Sequence, residues 1–260
     1  MSLPSSEDKT AVSFMDIIES DVRLAARLAT EAGEILLSLQ RSNSHDGKEL
    51  GAIGDSRANA FLMRELRAAR PDDAILSEEE SDSAARLDAK RVWIIDPVDG
   101  TREYGEGRTD WAVHVALAIN GLAAVGAVAL PGLGLTLTSD KPPTLKRINT
   151  PLKMLVSRTR PAAEAVAVAE KLGAELLPMG SAGAKAMAVV RGEADIYLHT
   201  GGQHQWDNCA PVSVALAAGL HCSRVDGAPL VYNQPQTDVP DLLICRHELV
   251  EQVMSALRGG

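Results

Sequence analysis

Residues 92–101, VWIIDPVDGT, carry a short apolar run into two aspartates and a glycine turn. Val92 to Ile95 are β-branched or aromatic without alternation, the pattern of a strand buried on both faces. Asp96 stands where that strand emerges. Pro97 cannot donate to a ladder and disfavours helix at Asp96, so a turn is expected that swings Asp99 back toward Asp96. Gly100 permits close backbone approach, and Thr101 puts a hydroxyl beside backbone amides, which together make a seat for an anion. Hard cations and phosphate both suit such a seat. Asp-Pro and Asp-Gly are also ordinary turn dipeptides. A second acidic cluster favours the chemical reading: the strand-like run Ala74-Ile75-Leu76-Ser77 ends in Glu78-Glu79-Glu80. Carboxylates at two strand ends repel unless something positive lies between them.

The elements that must hold these residues follow from periodicity. Asp16 to Leu39 has apolar residues at helical spacing (Ile17, Leu24, Leu28, Ala32, Ile35, Leu36, Leu39) and predicts a long amphipathic helix. The polar stretch Arg41 to Gly54 reads as a loop or an irregular hairpin, and Asp55 begins or caps a helix over Ser56 to Ala69 that stops before Pro71. After Thr101, the segment Arg102 to Arg108 is expected to be a loop. Trp111 to Ile119 and Leu122 to Leu130 are strands joined by the hairpin signal Asn120-Gly121, with a further strand at Leu133 to Leu137. The proline-rich stretch Ser139 to Pro151 divides the chain into residues 1–150, an α+β half, and 151–260, an α/β half. In the second half strands at Met154–Val156, Glu175–Leu177, Ile196–Leu198 and Leu242–Cys245 alternate with helices at Pro161–Leu172, Gly183–Val190, Asn208–Ala218 and His247–Leu257. Asp207, at the start of the third of these helices, reads equally as a cap.

Composition narrows the partners. The chain has 260 residues, 45% hydrophobic and 23% charged, which fits a folded protein with a sizeable core. A formal net charge of −9 argues against a polynucleotide or an anionic membrane surface, both of which need a basic face. Cys209, Cys222 and Cys245 fit neither a disulfide framework nor a zinc site and read as reduced thiols of a cytoplasmic protein. No apolar run has membrane-spanning length, and residues 1–10 lack signal-peptide features and read as a loose tail. The six histidines lack ligand spacing; only His204 is near the Trp206-Asp207 pair.

The strings Ser77-Glu78-Glu79, Asp96-Pro97-Val98-Asp99-Gly100-Thr101 and Trp206-Asp207 resemble, in order and spacing, the signature elements of the inositol monophosphatase superfamily of magnesium-dependent, lithium-sensitive phosphatases. The likeness runs from the first long helix onward. Within the superfamily, Thr101-Arg102-Glu103-Tyr104 and Gly180-Ser181-Ala182-Gly183-Ala184-Lys185 are most similar to the CysQ-type 3′(2′),5′-bisphosphate nucleotidases, particularly the actinobacterial ones. Lys185 stands where those enzymes carry lysine and inositol enzymes commonly carry asparagine; a second phosphate would want that charge. Two departures are Gly51-Ala52-Ile53-Gly54 in place of a Val-Thr pair before Asp55, and Ala182-Gly183-Ala184-Lys185 in place of Ser-Ser-Leu-Lys.

The resemblance implies a layered α/β/α/β/α sandwich with the site between the two halves. It implies that Glu78, Asp96, the Val98 carbonyl, Asp99 and Asp207 hold two or three Mg²⁺ ions, an oxygen-only set that suits magnesium. Glu78 and an Asp55–Thr101 hydrogen-bonded pair would act on the attacking water, and the Gly100 and Thr101 amides would seat the phosphate. Val98, Asp99, Ser181, Lys185 and Asp207 would complete the substrate contacts. The implied substrate is 3′-phosphoadenosine 5′-phosphate, cleaved to AMP and phosphate in sulfur assimilation, with the 5′-phosphosulfate analogue also open. Inositol 1-phosphate and fructose 1,6-bisphosphate remain alternatives, as does a catalytically silent metal-binding relative. A small phosphorylated nucleotide is the expected partner, and a homodimer is an open possibility.

Overall fold

The computed structural model describes residues 19–42 and 44–259. The expected N-terminal tail and the first residues of the helix expected from Asp16 lie outside the described residues. Helix α1 (Asp21–Ser42) buries Leu24, Leu28, Ala32, Leu36 and Leu39 on one stripe. Helix α2 (Gly47–Ala69) starts well before the expected Ser56. Its glycines are the reason: a Cβ at Gly51 would stand 2.8 Å from Thr101 Cγ2, and one at Gly54 would stand 2.6 Å from the Tyr104 ring. Close packing against the following segment therefore outweighs the poor intrinsic helix propensity of glycine. Asp55 is an interior residue of this helix and not its cap.

Five strands form the first sheet in the order β1 (Ala74–Ser77), β2 (Arg91–Asp99), β3 (Ala112–Ile119), β4 (Leu122–Leu130) and β5 (Leu135–Thr138). β1 and β2 are parallel and the remaining pairs antiparallel, and the hairpin closes with Ile119 opposite Leu122. β2 does not stop at Ile95. It continues through Pro97 as a bulge, the register shifting between Asp96, opposite His114, and Asp99, opposite Ala112. A bulge is where a sheet tolerates a residue without an N–H. The expected loop after Thr101 is a short helix, α3 (Thr101–Gly105), because Tyr104 is fully buried, stands edge-on to Trp111 at 4.9 Å and donates to the Leu36 carbonyl at 2.9 Å.

The second sheet runs β10 (His221–Ser223), β12 (Leu242–Cys245), β8 (Ile196–His199), β6 (Lys153–Ser157), β7 (Glu175–Met179). β6 is parallel to both neighbours; β12 is antiparallel to both of its own. A two-residue pairing of β9 (Gln203–His204) with β11 (Asp238–Val239) and the strand β10 had no pattern in the sequence. Helices α4 (Ala163–Leu172) and α7 (Val250–Arg258) cover the outer face of this sheet. Helices α5 (Ala182–Val190) and α6 (Gln205–Ala217) lie between the sheets. α6 begins at Gln205 and not at Asn208 because the Asp207 carboxylate turns back onto the His204 amide, so Pro211 falls inside the helix.

The result is a five-layer α/β/α/β/α sandwich. Strand β2 explains why its sequence lacks alternation: Val92 and Ile94 face the shared middle layer, Trp93 and Ile95 face α1 and α2. Both faces are buried, so both must be apolar.

Candidate active site

The bulge of β2 delivers Asp96 and Asp99 to the end of the first sheet, 1% and 7% exposed. Asp207 reaches them from the first turn of α6, and single carboxylate oxygens of the three residues lie within 4.8 Å of one another. Glu78, on the turn that follows β1, faces Asp96 and remains solvent-exposed at its side chain. No lysine or arginine is paired with any of these four groups among the described residues. Burial, then the charges of Glu78, Asp99 and Asp207, push the Asp96 carboxyl well up. Burial, then Asp99, raises Asp207 to about 6. Desolvation against the cleft, with Asp207, Asp99 and Glu79 adding to it, raises Glu78 to about 7. Oxygen donors crowded and undercharged in this way fit a hard divalent cation.

Asp99 differs. Burial alone would raise it, but the imidazole of His114, the Ser181 hydroxyl and the Gly183 amide bring it down to about 2. Ser181 Oγ donates to Asp99 Oδ2, Gly183 N donates at 2.6 Å and Ala182 N donates to Oδ1 at 3.1 Å. The carboxylate is thus held on the N-terminus of α5, whose dipole and free amides favour an anion. His114 Nε2 stands 3.2 Å from Asp99 Oδ2, an ion pair without the alignment of a good hydrogen bond, while Nδ1 is 3.0 Å from the Trp206 carbonyl. The His114 ring also fills the space a side chain at position 183 would need, which accounts for glycine where the Ser-Ser-Leu-Lys pattern has its second serine. Asp99 stays charged and rigid.

Val98 donates its amide to Asp96 Oδ1 at 3.0 Å, and its carbonyl accepts from Thr101 Oγ1 at 3.0 Å. Gly100 between them has φ +91°, and a Cβ there would press on Ser181 and Trp111. Asp55 comes into the cleft from α2, 8% exposed, with Oδ1 buried and unpartnered. Burial, then the charges of Glu79 and Glu78, raises it to about 7, and the neighbouring Thr101 hydroxyl works in the other direction. In this arrangement the Thr101 proton goes to the Val98 carbonyl and the two expected partners stand side by side.

Next to Gly100 and Thr101 opens a cavity of about 250 Å³ whose walls carry Arg102, Arg158, Arg160 and Lys185. Lys185 is 5% exposed. Its Nζ donates to the Ser181 carbonyl at 2.5 Å and the Gly180 carbonyl at 3.2 Å and lies 5.3 Å over the Tyr197 ring, so it is no solvated helix residue. Burial lowers its pKa. Arg158 is tied to Glu103 at 2.7 Å and Glu106 at 2.9 Å, whereas Arg160 makes no ion pair among the described residues.

The sequence reading missed His114, Arg158 and Arg160. His114 carried one signal, a single polar residue inside the apolar run of β3; the arginines sit in an irregular loop after β6 that no periodicity marks. His204, the histidine singled out, joins the site through its backbone amide, while its exposed ring stacks on Trp206 at 4.6 Å. Cys209, Cys222 and Cys245 are free thiols, Cys209 and Cys245 buried. No helix among the described residues is long and apolar enough to cross a membrane.

A sequence profile of the inositol monophosphatase family matches residues 18–258, and the chain belongs to that family. A protein of Mycobacterium leprae named 3′-phosphoadenosine 5′-phosphate phosphatase is 47% identical over 254 residues, covering 92% of this chain and 94% of its own. The 3′(2′),5′-bisphosphate nucleotidase CysQ of Escherichia coli is 29% identical over 190 residues, covering 68% of this chain and 77% of its own. Among solved structures, CysQ from Bacteroides thetaiotaomicron superposes with a TM-score of 0.77 at 23% identity, covering 88% of this chain and 98% of that one.

Proposed function

We propose that this chain is a Mg²⁺-dependent phosphatase that hydrolyses the 3′-phosphate of 3′-phosphoadenosine 5′-phosphate to give AMP and phosphate; the mycobacterial relative is named a 3′-phosphoadenosine 5′-phosphate phosphatase. The observation that carries the reading is the adjacency of two unlike regions: a cleft of uncompensated carboxylates and a basic cavity of about 250 Å³ that share Gly100 and Thr101. One suits the phosphate that is cleaved and the other a second, uncleaved anion.

Glu78, Asp96, the Val98 carbonyl, Asp99 and Asp207 would hold two or three Mg²⁺ ions. Bound there, the metal supplies Lewis acidity toward the phosphoryl oxygens and acidifies a water molecule. Asp96 and Asp99 would be two of the ligands, Asp99 kept charged by the hydroxyl and amides that donate to it. Asp55, with its free buried oxygen and a pKa of about 7, is suited to orient the attacking water and accept its proton, assisted by Thr101 and Glu78. The amides of Gly100 and Thr101 are aimed at the phosphate by the left-handed turn at Gly100. Ser181 fixes Asp99 and leaves Lys185, Arg158 and Arg160 to meet the uncleaved 5′-phosphate, with the 5′-phosphosulfate analogue as a second substrate. A monophosphate such as inositol 1-phosphate would leave Arg160 and Lys185 without an anion to meet, which disfavours it. Reduced thiols and the nucleotide substrate agree with a cytoplasmic enzyme of sulfur assimilation.

The test is phosphate release from bisphosphate nucleotides, inositol phosphates and sugar bisphosphates, each with Mg²⁺ and with added Li⁺. The expected result is Mg²⁺-dependent, Li⁺-inhibited release that is fastest from 3′-phosphoadenosine 5′-phosphate. Faster release from inositol 1-phosphate would overturn the nucleotide assignment, and equal release without Mg²⁺ would overturn the metal assignment.

A further inference from the structure

Glu78 and Asp207 come from opposite halves of the chain: Glu78 opens the turn after β1, its amide donating to the Ile95 carbonyl at 3.3 Å, and Asp207 lies in the first turn of α6. On its upstream side the Glu78 turn is fastened to α2: Ser77 Oγ donates to Asn59 Oδ1 at 2.8 Å, and Asn59 Nδ2 donates to Glu80 Oε1 at 2.9 Å. Downstream the chain runs into a 3₁₀ helix, Ala84–Asp88, that contains an arginine only 3% exposed. Arg86 Nε and Nη2 bind the Asp82 carboxylate at 2.6 and 2.8 Å, Nη1 donates to Asn233 Oδ1 at 2.8 Å, and Nη2 also donates to the Gln234 carbonyl at 3.0 Å. Asn233, at φ +56°, returns a bond from Nδ2 to the Arg86 carbonyl at 2.9 Å. The same 233–236 segment is gripped from the other side by fully buried Gln205, whose Nε2 donates to the Gln236 carbonyl at 2.9 Å and the Gln234 carbonyl at 3.3 Å. Gln205 is the first residue of α6, two before Asp207.

We propose that Arg86 is a positioning residue: its buried guanidinium, bridging the Asp82 end of the Glu78 turn and the Asn233–Gln234 segment, holds Glu78 in register with Asp207 across the cleft. A buried guanidinium is costly unless its N–H groups are met, and here four bonds to three residues meet them in the planar fork that arginine offers and lysine does not. Removing it frees one carboxylate of the cleft from the other without touching either. Partners that orient ligands in this way, without binding the cation, commonly change metal affinity by roughly tenfold to a hundredfold. The inference rests on the metal reading of the cleft.

The full chain and its Arg86→Ala, Arg86→Lys and Asn233→Ala variants would be titrated with Mg²⁺, following both the Mg²⁺-induced rise in melting temperature and phosphate release from 3′-phosphoadenosine 5′-phosphate. The expected result is a midpoint for both signals moved up roughly tenfold to a hundredfold in Arg86→Ala. The nucleotide KM at saturating Mg²⁺ should be unchanged, and Arg86→Lys should fall between. A variant that melts lower without Mg²⁺ but keeps the wild-type Mg²⁺ midpoint would show a merely structural role and overturn the proposal. If Arg86→Ala does not fold, Asn233→Ala, which removes one acceptor of the guanidinium and the return bond to the Arg86 carbonyl but keeps the arginine, decides by the same midpoint. A wild type that responds to Mg²⁺ in neither signal overturns the metal reading and this inference with it; a responsive wild type with unshifted variants overturns this inference alone.

Discussion

Strand β2 begins and ends in a cluster of charge, and the two clusters are built on opposite principles. At its start, Arg91 binds Asp73 at 2.8 Å and Asp21 at 2.9 Å, Arg70 binds Asp21 at 2.8 Å, and the Trp93 indole donates to Asp73 at 2.9 Å. Burial would raise the Asp73 carboxyl, but Arg91 and Trp93 hold it below its usual range. At the far end, Asp96, Glu78 and Asp207 have no cationic side chain and are all pushed up. Aspartates are thus self-sufficient at one end of the strand and in want of a cation at the other. The groove of about 530 Å³ beside the paired cluster is larger than the cavity beside Gly100 and Thr101, yet the charges along it are already matched. Compensation, and not size, marks the working site.

Four changes would break or sharpen that contrast. Asp96→Asn should cut phosphate release by roughly a thousandfold or more and weaken the response to Mg²⁺, since it removes a shared charge from the cleft. Near-normal turnover would refute the contrast at its root. Arg160→Ala removes an unpaired cation from the cavity and should raise KM for 3′-phosphoadenosine 5′-phosphate by roughly tenfold to a hundredfold, the worth of a charged phosphate contact of about 1.5 to 3 kcal/mol. KM for inositol 1-phosphate should move far less, and kinetics on the two substrates compare them directly. Lys185→Asn is expected to shift the same ratio and also to lower kcat, because the lysine braces the Ser181 peptide.

Asp73→Asn, in the paired cluster, should cost about 1 to 3 kcal/mol of stability by denaturant titration while leaving turnover within about twofold. A large loss of activity with normal stability would erase the distinction between the clusters. The smallest effect concerns pH. The folded-state pKa values of Asp55 and Asp96 lie above their unfolded values near about 4, so the metal-free fold binds more protons than the unfolded chain up to about pH 7. The contribution of Asp55 is present at acid pH and is lost as pH rises through about 4 to 7, and that of Asp96 is lost in the same direction. The rise in melting temperature that Mg²⁺ produces should therefore be greater at pH 7.5 than at pH 5, by about a few degrees. Equal rises at both would mean that these carboxyls do not titrate against the cation.

Sequence alone resolved the residues whose chemistry is written locally. Asp96-Pro97-Val98-Asp99-Gly100-Thr101 is contiguous, and Glu78 follows a four-residue strand that could be read from its apolar run. What failed was context. Residues 41–54 read as a loop or an irregular hairpin because they are polar, whereas Gly51 and Gly54 let α3 press against a helix there. His114 has no ligand spacing in the sequence, since its partners Asp99 and Trp206 are 15 and 92 residues away. Arg158, Arg160 and Arg86 act across loops, where neither a period of 3.6 nor of 2 applies. Lys185 was found by resemblance, but that it is buried and braces the turn before α5 follows only from three dimensions.

The middle layer also bears on how the molecule is made. The inner face of the first sheet, with Val92, Ile94, Ala116 and Val128, packs on α5 and α6, and these begin only at Ala182 and Gln205, long after β5 has ended at Thr138. During synthesis the first sheet leaves the ribosome with one oily side bare and nothing yet translated to cover it. The same two helices bring Asp207 and the amides that grip Asp99. A half-made chain is therefore both sticky and inert, and acquires its chemistry at the moment it loses its stickiness.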